Sequence, residues 1–374
     1  MRYLRSLSKP ALLTLQLALI GFLTQLALET SSVFLPLYAA ELGASNMDVG
    51  LIAASSGMAF LVSSLVFGRL SDINGRLGFI RFGIGLSTVV YLLQLIAPTP
   101  MTLLGVWAFL GFCLGGSLVA LTAYVYEVGE DVGKFSSYSP LGSLIGLLAA
   151  AAIRDYHALF ITSAVGSAIA FVISLMLRKR EQNRTAHMKV PLFPTSVIWT
   201  NRKIYLPYLL RHTGASAIWA IFPLYLASIG ASKTWIAIIN GINVGGQFIA
   251  MRFIERFNVA KAFRVGLFIS IAVFAIYGIA TYYLQLIPVQ IFLAIAWSCM
   301  YVGALSFLLK KNVERGTAVG VLFSTTRLSS AIGPLLGGGV SQIWGFRPLM
   351  FVASALSFTG LIFSRGVEGK KQKS

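Results

Sequence analysis

Apolar residues form long continuous runs along nearly the whole chain, separated by short polar intervals. A helix needs about 20 apolar residues to cross the roughly 30 Å hydrocarbon core of a bilayer. The runs do not alternate between apolar and polar residues, as the strands of membrane barrels do. The pattern therefore predicts an all-α integral membrane protein with twelve transmembrane helices. The predicted spans 1 to 12 cover residues 12–38, 48–70, 79–97, 101–127, 136–153, 158–177, 204–228, 233–254, 262–283, 287–309, 317–343 and 347–364.

The composition favours the same class of protein. Hydrophobic residues make up 57% of the 374 positions and charged residues only 11%, whereas soluble domains carry about 25% charged residues. Intrinsic disorder is excluded because the aliphatic and aromatic content is too high. Cys113 and Cys299 both lie in apolar stretches, so they indicate neither a disulfide framework nor a thiolate metal site.

Basic residues lie mainly on one side of the predicted membrane. If the chain begins in the cytoplasm, 25 of its 30 Lys and Arg residues fall in cytoplasmic segments, against three outside, Arg154, Lys233 and Arg347. This bias predicts a multi-pass protein of the cell membrane with both termini in the cytoplasm. The net charge of +18 then reflects topology and does not indicate nucleic-acid binding, although the basic loops are expected to attract anionic lipids.

One long polar interval, residues 178–203, divides six spans from six. It predicts an N-terminal six-helix half at 1–177, a cytoplasmic linker, and a C-terminal half with a short tail at 204–374. The halves resemble each other, since the sequence FLPLY at 34–38 matches IFPLY at 221–225 with a shift of 187 residues. Both copies begin on the same side of the membrane, so they are parallel repeats, which place a binding site near the midplane between them.

The sequence GRLSDINGR at 68–76 resembles the loop signature between helices 2 and 3 of the major facilitator superfamily, with a degenerate counterpart at 252–264. Glu314-Arg315-Gly316 before span 11 is also typical of that superfamily. Together with the twelve spans and the repeat, the resemblance covers essentially the whole chain. It implies a transporter whose two six-helix halves rock to expose a central site to each side alternately.

The resemblance also implies a latch between the cytoplasmic ends of the two halves. In this sequence Leu77 stands where a second basic residue is common in the superfamily. The alternative is a solvated basic loop that only sets topology. The latch residues implied here are Gly68, Asp72, Gly75, Arg76 and Glu255.

Small residues on spans 5 and 11 resemble the glycine–proline motif of drug:proton antiporters. That motif is characteristic of helix 5 in those families, whereas the fuller version here lies on span 11. Small residues spaced by four allow helices to approach closely, and ordinary packing is the alternative role. The helix-packing candidates are Gly142, Gly146, Ser329, Gly333, Pro334, Gly337 and Gly338.

Glu29 is the only acidic residue deep within a predicted span, and shares one face of span 1 with Gly21, Gln25, Ser32 and Pro36. A charged group at membrane depth is expected to face a cavity, where carboxyl groups bind protons more readily than in water. Glu29 and Gln25 are therefore candidates for proton coupling or for binding a cationic or polar substrate. The alternative is a packing carboxylate that pairs permanently with an arginine or a neighbouring helix.

The repeat maps Glu29 onto Ser216, so span 7 is expected to present Tyr208, His212 and Trp219 to the same cavity. His212 is a candidate for functional titration or is simply hydrogen bonded in place.

Two arginines also fall within spans. Arg211 is close enough to the start of span 7 to reach toward the cytoplasm. Arg327 lies about ten residues into span 11 and requires a counter-charge, which Glu29, a substrate anion or backbone carbonyls could supply.

These features favour a secondary active transporter of a small organic solute or drug-like amphiphile, with proton-coupled export suggested by the antiporter motif. Arg327 keeps uptake or exchange of an organic anion open, and a non-transporting receptor or scaffold is a third reading. The polar loops lack a His-x4-His set, paired catalytic carboxylates and a phosphate-binding loop, so we expect neither an enzyme nor a cofactor or metal site. The expected partners are the substrate, protons and membrane lipids, and we expect a monomer.

Overall fold

The computed structural model describes residues 9–130, 132–178, 194–254, 258–312 and 315–367. In these ranges the chain forms twelve long helices and two short α-helices, and no strand. The long helices are α1 Lys9–Ser32, α2 Asn46–Asn74, α3 Arg76–Leu93, α4 Pro100–Glu127, α5 Val132–Ile153, α6 Tyr156–Leu175, α7 Arg202–Ser228, α8 Lys233–Ile254, α9 Val259–Ile279, α10 Leu286–Lys311, α11 Arg315–Trp344 and α12 Phe346–Phe363. Each predicted span corresponds to one long helix, and the all-helical fold is confirmed.

Span 1 differs from the prediction because it consists of two helices. After α1, a turn at Val33 and Phe34 leads into the short helix Leu35–Glu41. Pro36 lies in the first turn of this short helix, where its missing N–H costs no hydrogen bond. The second short helix, Thr195–Thr200, precedes α7.

Ten helices described here are long and apolar enough to cross a membrane. The apolar part of α5 is shorter, at Tyr138–Ile153, and α7 is not among the ten. Basic and polar side chains such as Arg211 and His212 interrupt the apolar character of α7. Tertiary packing holds this less apolar helix within the bundle, since most of its residues are buried.

The packing pattern of the first six long helices recurs in the last six. In the first set, α1 packs against α5 and α6, α2 against α4, and α3 against α4 and α6. In the second set, α7 packs against α11 and α12, α8 against α10, and α9 against α10 and α12. The largest contacts between the two sets join α2 to α11 and α5 to α8. We call these two sets the N-half and the C-half; the boundaries of the linker between them stay a prediction.

Glycines on α5 and α11 allow close helix approach within each half. A Cβ at Gly142 would lie 2.3 Å from the carbonyl oxygen of Phe22, and one at Gly337 would lie 2.2 Å from that of Ala217. Gly146 and Gly333 are similarly close to α1 and α7. These positions have no room for a side chain because the neighbouring backbone already occupies the space.

Other small residues of α11 approach the opposite half or support its own half. A Cβ at Gly338 would lie 2.8 Å from the carbonyl oxygen of Asn46, and one at Gly50 would lie 2.4 Å from that of Pro334. Ser329 packs within the C-half, where its hydroxyl donates to the carbonyl of Leu209 at 3.3 Å. The small-residue stripe of α11 therefore serves two interfaces at once.

The two ends of the bundle differ in how the halves meet. At the end where α2 and α8 begin, which we call the distal end, Lys233 Nζ lies 3.8 Å from Glu41 Oε1. Tyr156 donates to the same oxygen at 2.6 Å. Asn46 of α2 is bound by hydrogen bonds to Ser341 and Gln342 of α11. These contacts close the distal end.

At the opposite end, where α1 begins and α12 ends, the described glycines near the ends of α2 and α11 make no close contact across the two halves. We call this the termini end. Among the described residues, a Cβ at Gly320 would meet no atom of a neighbouring element within 4 Å, and one at Gly68 would meet only Val119 of the same half. The bundle is therefore closed at the distal end and parted along α2 and α11 at the termini end.

Candidate functional site

A cavity of about 440 Å³ lies between the halves. Its walls come from α1, the short helix after it, α2, α4, α5, α7 and α8, so that both halves contribute. The lining residues are Glu29, Ser32, Val33, Leu35, Pro36, Ala39, Val49, Ile52, Ala53, Ser56, Trp107, Leu147, Trp219, Ala220, Pro223, Asn240, Asn243, Val244 and Gln247. Among the described residues of this lining, Glu29 is the one ionisable side chain.

Glu29 lies on the cavity wall and is held by two neighbours. Gln25 Nε2 donates to Glu29 Oε1 at 3.3 Å, and Ser143 Oγ of α5 donates to the same oxygen at 3.4 Å. The other carboxylate oxygen, Oε2, has no hydrogen-bond partner among the described residues. Residues of the predicted polar face of α1 thus have two roles. Gln25 positions Glu29, whereas Glu29, Ser32 and Pro36 line the cavity.

The polar side chains of α8 were not among the predicted site residues. Asn240, Asn243 and Gln247 recur at intervals of three and four, which places them on one helix face, and all three line the cavity. That spacing of carboxamides within an otherwise apolar span was the signal in the sequence. The carboxamides give the C-half a hydrogen-bonding wall that bears no charge.

Aromatic side chains surround His212 in the C-half. Trp297 stacks on the imidazole with ring centroids 4.9 Å apart, and Tyr208 and Trp219 lie 5.7 and 5.5 Å from it. Tyr301 stacks on Trp297 with ring centroids 5.6 Å apart. We call these five residues the aromatic cluster. Only Trp219 of the cluster lines the cavity, whereas Tyr208 and His212 are buried beside it.

Arg211 is fully buried, with 0% of its surface exposed. Its Nε donates to Ser270 Oγ of α9 at 2.9 Å, and its guanidinium lies 5.3 and 5.4 Å from the ring centroids of Phe274 and Trp297. Neither terminal nitrogen has a hydrogen-bond partner in the described part of the chain. Arg211 therefore does not reach the surface, as the sequence had suggested it could.

Arg327 lies outside the cavity lining, on the termini side of α11. Its guanidinium carbon lies 3.9 Å from the ring centroid of Phe60 on α2, so it bridges the two halves by a cation–π contact. No carboxylate of the described ranges forms an ion pair with it, and the described partners of Glu29 do not include it.

The predicted latch is only partly within the described structure. Arg76 Nε donates to Glu127 Oε1 at 2.9 Å, and its Nη1 donates to Ser71 Oγ at 2.7 Å. These contacts join the ends of α2, α3 and α4 within the N-half. Gly75 has a φ of +92° between α2 and α3, a conformation that favours glycine. The Asp72 side chain and Glu255 lie outside the described residues.

The chemistry available in the cavity is recognition rather than bond breaking. Within the described ranges, no group of three or more His, Cys, Asp or Glu side chains is arranged to hold a metal ion. One carboxylate, a row of carboxamides and the indoles of Trp107 and Trp219 can bind an organic solute that is polar at one part and aromatic at another.

Comparisons with known proteins agree with this architecture. The family model described as Major Facilitator Superfamily matches residues 17–244 and 204–374. The chain is 26% identical to the multidrug resistance protein MdtG of Proteus mirabilis over 92% of each chain, and 25% identical to MdtG of Klebsiella pneumoniae over 92% of this chain and 90% of that protein.

Solved structures share the fold at low sequence identity. A variant of the nucleoside transporter NupG superposes with a TM-score of 0.82 at 15% identity, covering 96% of this chain and 100% of that one. A bacterial homologue of the human lysosomal transporter Spinster, in an inward-facing and occupied conformation, gives 0.79 at 14% identity, with 96% and 97% coverage.

The chain belongs to the Major Facilitator Superfamily. It is a multi-pass membrane protein and a secondary transporter of a small-molecule substrate that works by alternating access. This is a transporter family and not an enzyme family, as the sequence predicted, and the relatives of the chain include proteins named multidrug resistance protein.

Proposed function

We propose that this Major Facilitator Superfamily transporter exports positively charged, drug-like amphiphiles in exchange for protons. In this proposal Glu29 binds the substrate and the proton in turn. The observation that carries the proposal is that Glu29 is the one ionisable side chain of the cavity lining. A carboxylate shielded from water is stabilised by neutralisation, and either a cation or a proton can neutralise it. The two therefore compete for one site, which is the requirement for exchange.

Three further features support a cationic amphiphile as the substrate. The indoles of Trp107 and Trp219 line the cavity and can bind both aromatic rings and cations. The volume of about 440 Å³ lies within the range of sites for drug-sized ligands. The relatives from Proteus mirabilis and Klebsiella pneumoniae, matched over 92% and 90% of their length, carry the name multidrug resistance protein.

The proposed orientation agrees with export. With both termini in the cytoplasm of a cell-membrane protein, as the basic residues predict, the parted termini end faces the cytoplasm and the closed distal end faces outward. The cavity then receives its substrate from the cytoplasm, as an exporter must. Basic loops at the cytoplasmic surface attract anionic lipids, and one copy suffices because both halves of one chain build the cavity.

The cytoplasmic latch is part of the same proposal. In the conformation described, α2 and α11 are parted at the termini end, and the described contacts of Arg76 lie within the N-half. We expect the segment with Gly68, Asp72 and Gly75 to meet the segment with Glu255 when the transporter closes toward the cytoplasm.

Uptake or exchange of an organic anion has weaker support. No Lys or Arg belongs to the cavity lining described here, and the guanidinium of Arg327 lies against Phe60. An anion in this cavity would meet Glu29 without a compensating cation. A non-transporting receptor would not require a carboxylate with a free oxygen at this depth.

Proteoliposomes that carry Glu29→Gln, Arg327→Gln or both substitutions test the proposal. We expect Glu29→Gln to reduce proton-gradient-driven accumulation of a cationic amphiphile by at least about tenfold, because an amide does not exchange protons. Counterflow at saturating substrate, which needs no net proton movement, should persist, and the melting temperature should stay within about 2 °C. Glu130→Gln, a matched change outside the cavity lining, should leave accumulation unchanged.

The double variant separates the alternatives. If Glu29 merely neutralises Arg327, each single substitution should destabilise the protein and the double substitution should restore part of the loss. If Arg327 binds an anionic substrate, Arg327→Gln should weaken binding without lowering the melting temperature. Full gradient-driven accumulation by Glu29→Gln would refute the proposed role of Glu29.

A further inference from the structure

We propose that the cavity selects cations that donate hydrogen bonds, namely protonated primary and secondary amines, over quaternary ammonium ions with the same ring and charge. The proposal rests on the proposed function, since it assumes that the cavity binds cations. It goes further by assigning the carboxamides of α8 a role in choosing among them.

The orientation of the first carboxamide is fixed by the backbone. The Asn240 side chain lies 2.8 Å from the carbonyl oxygen of Ile236. A carbonyl oxygen only accepts hydrogen bonds, so the atom facing it must be the amide nitrogen, Nδ2. The Oδ1 atom of Asn240 is left without a hydrogen-bond partner among the described residues, on a side chain that lines the cavity.

The next two carboxamides are fixed in sequence by the same reasoning. Asn243 Nδ2 donates to the carbonyl oxygen of Gln290 on α10 at 3.3 Å, which makes Oδ1 the free acceptor of Asn243. Gln247 must then present its nitrogen to that oxygen, and it does so at 2.7 Å. This leaves Gln247 Oε1 as an acceptor without a partner in the described part of the chain.

The N-half adds an acceptor of the same kind. Glu29 Oε1 receives the hydrogen bonds from Gln25 and Ser143, while Oε2 receives none from the described residues. The cavity therefore contains three side chains with an uncommitted acceptor oxygen, two neutral and one charged. The lining also contains donors: Trp107 Nε1 is buried without a described acceptor, and each carboxamide nitrogen has a second N–H besides the one that its described hydrogen bond uses.

A row of acceptors distinguishes ligands by their N–H groups. A protonated amine can donate to Glu29 Oε2 and to a carboxamide oxygen, whereas a quaternary ammonium ion has no N–H to donate. A ligand that displaces water from these oxygens without replacing its hydrogen bonds leaves them unpaired, and sites with unpaired buried polar groups discriminate strongly. We expect a preference of at least about tenfold, since a hydrogen bond to a charged group contributes about that much to affinity.

Calorimetric titration of the purified full-length transporter in lipid nanodiscs tests the selection directly. The probes are naphthylmethylammonium and its trimethylammonium derivative, which share one ring system and one charge. The dissociation constant of the quaternary probe should exceed that of the amine by about tenfold or more in the wild type. In Asn240→Leu and Gln247→Met, which keep the approximate side-chain size, the ratio should fall at least about threefold, and in the double variant it should fall further, to the part that Glu29 Oε2 alone supplies.

Two further variants distinguish failure of the proposed selection from failure of the proposed function. Val244→Leu, an apolar neighbour in the same wall, should change both dissociation constants by the same factor. Glu29→Gln should weaken both probes, because each carries a positive charge. Equal affinity of the wild type for the two probes, or an unchanged ratio in the double carboxamide variant, would overturn the selection while leaving the proposed function intact. Undiminished binding of both probes by Glu29→Gln would instead contradict the proposed function.

Discussion

The two halves of the transporter share a packing pattern but carry their charges in opposite ways. The N-half places carboxylates toward the partner half, with Glu29 on the cavity wall and Glu41 at the distal end. The C-half contributes cations, with Lys233 facing Glu41, Arg327 over Phe60, and Arg211 fully buried.

Repeat-related positions show how the difference arises. With the shift of 187 residues, Thr24 corresponds to Arg211 and Glu29 to Ser216. Thr24 satisfies its hydroxyl locally by donating to the carbonyl of Ile20 at 2.7 Å, whereas Arg211 reaches Ser270 on α9. The N-half thus has its charge on the cavity face of α1, while the C-half has a charge on the packed face of α7. The same backbone arrangement therefore places a charged side chain on the cavity wall in one half and within the packed interior in the other.

The variants with the largest expected effect test the close helix packing that the two halves share. Gly146→Val and Gly333→Val alter repeat-related positions, and each would force a side chain to within 2.7 Å of a backbone carbonyl oxygen on α1 or α7. We expect each change to destabilise the protein by at least about 3 kcal/mol, because backbone cannot yield as a side chain can. The measurement is the folded yield and melting temperature in detergent.

Gly320→Val on α11 is the matched control, since a Cβ there would meet no atom of a neighbouring element within 4 Å in the described part of the chain. It should leave the folded yield unchanged. A large loss in only one of the two repeat-related variants would show that the halves do not share this packing constraint.

A smaller effect is expected from the buried cation. Arg211→Met should raise the melting temperature, because it keeps a long side chain while removing a charge with two unpartnered nitrogens. Replacing poorly paired buried charges with apolar groups is commonly neutral or stabilising by about 1–4 kcal/mol. The opposite result, a clear fall in melting temperature by differential scanning fluorimetry, would mean that the guanidinium is stabilised by its aromatic neighbours. Ser216→Ala, five residues further along α7, serves as the comparison variant.

The smallest effect concerns the ion pair that joins the halves. Lys233→Met removes the 3.8 Å contact with Glu41 and should shift the population toward conformations open at the distal end. The shift is expected to be at most about fivefold, because an exposed pair contributes about 1 kcal/mol or less. Spin labels at Ala40 and Ser232, both exposed, would report it as a longer component in the distance distribution after Cys113 and Cys299 are replaced by alanine.

Glu127→Gln provides the contrasting variant, because its pair with Arg76 lies within the N-half. It should leave the distribution between the labels unchanged. If Lys233→Met also has no effect, the carboxylates of one half and the cations of the other do not control closure of the distal end.

The sequence identified candidate site residues best where their chemical group is rare within a membrane helix. Glu29 stands out because an acid deep in an apolar span is costly unless it faces a cavity, and the structure places it on the cavity wall. Asn240, Asn243 and Gln247 did not stand out, because carboxamides are common in membrane helices as packing groups. Their spacing shows that they share a face, but spacing alone does not say which neighbour that face meets.

The sequence by itself determined the number and order of the long helices, the repeat, and the glycines that require close approach, because each depends on local composition and spacing. Tertiary structure decided which faces became cavity and which became core. Tyr208, His212 and Trp219 lie on one side of α7, yet only Trp219 lines the cavity, because Trp297 of α10 stacks on His212 and covers it. Arg211 is buried for the same physical reason: whether a side chain meets water, lipid or protein is set by the helices packed around it, which are distant in sequence.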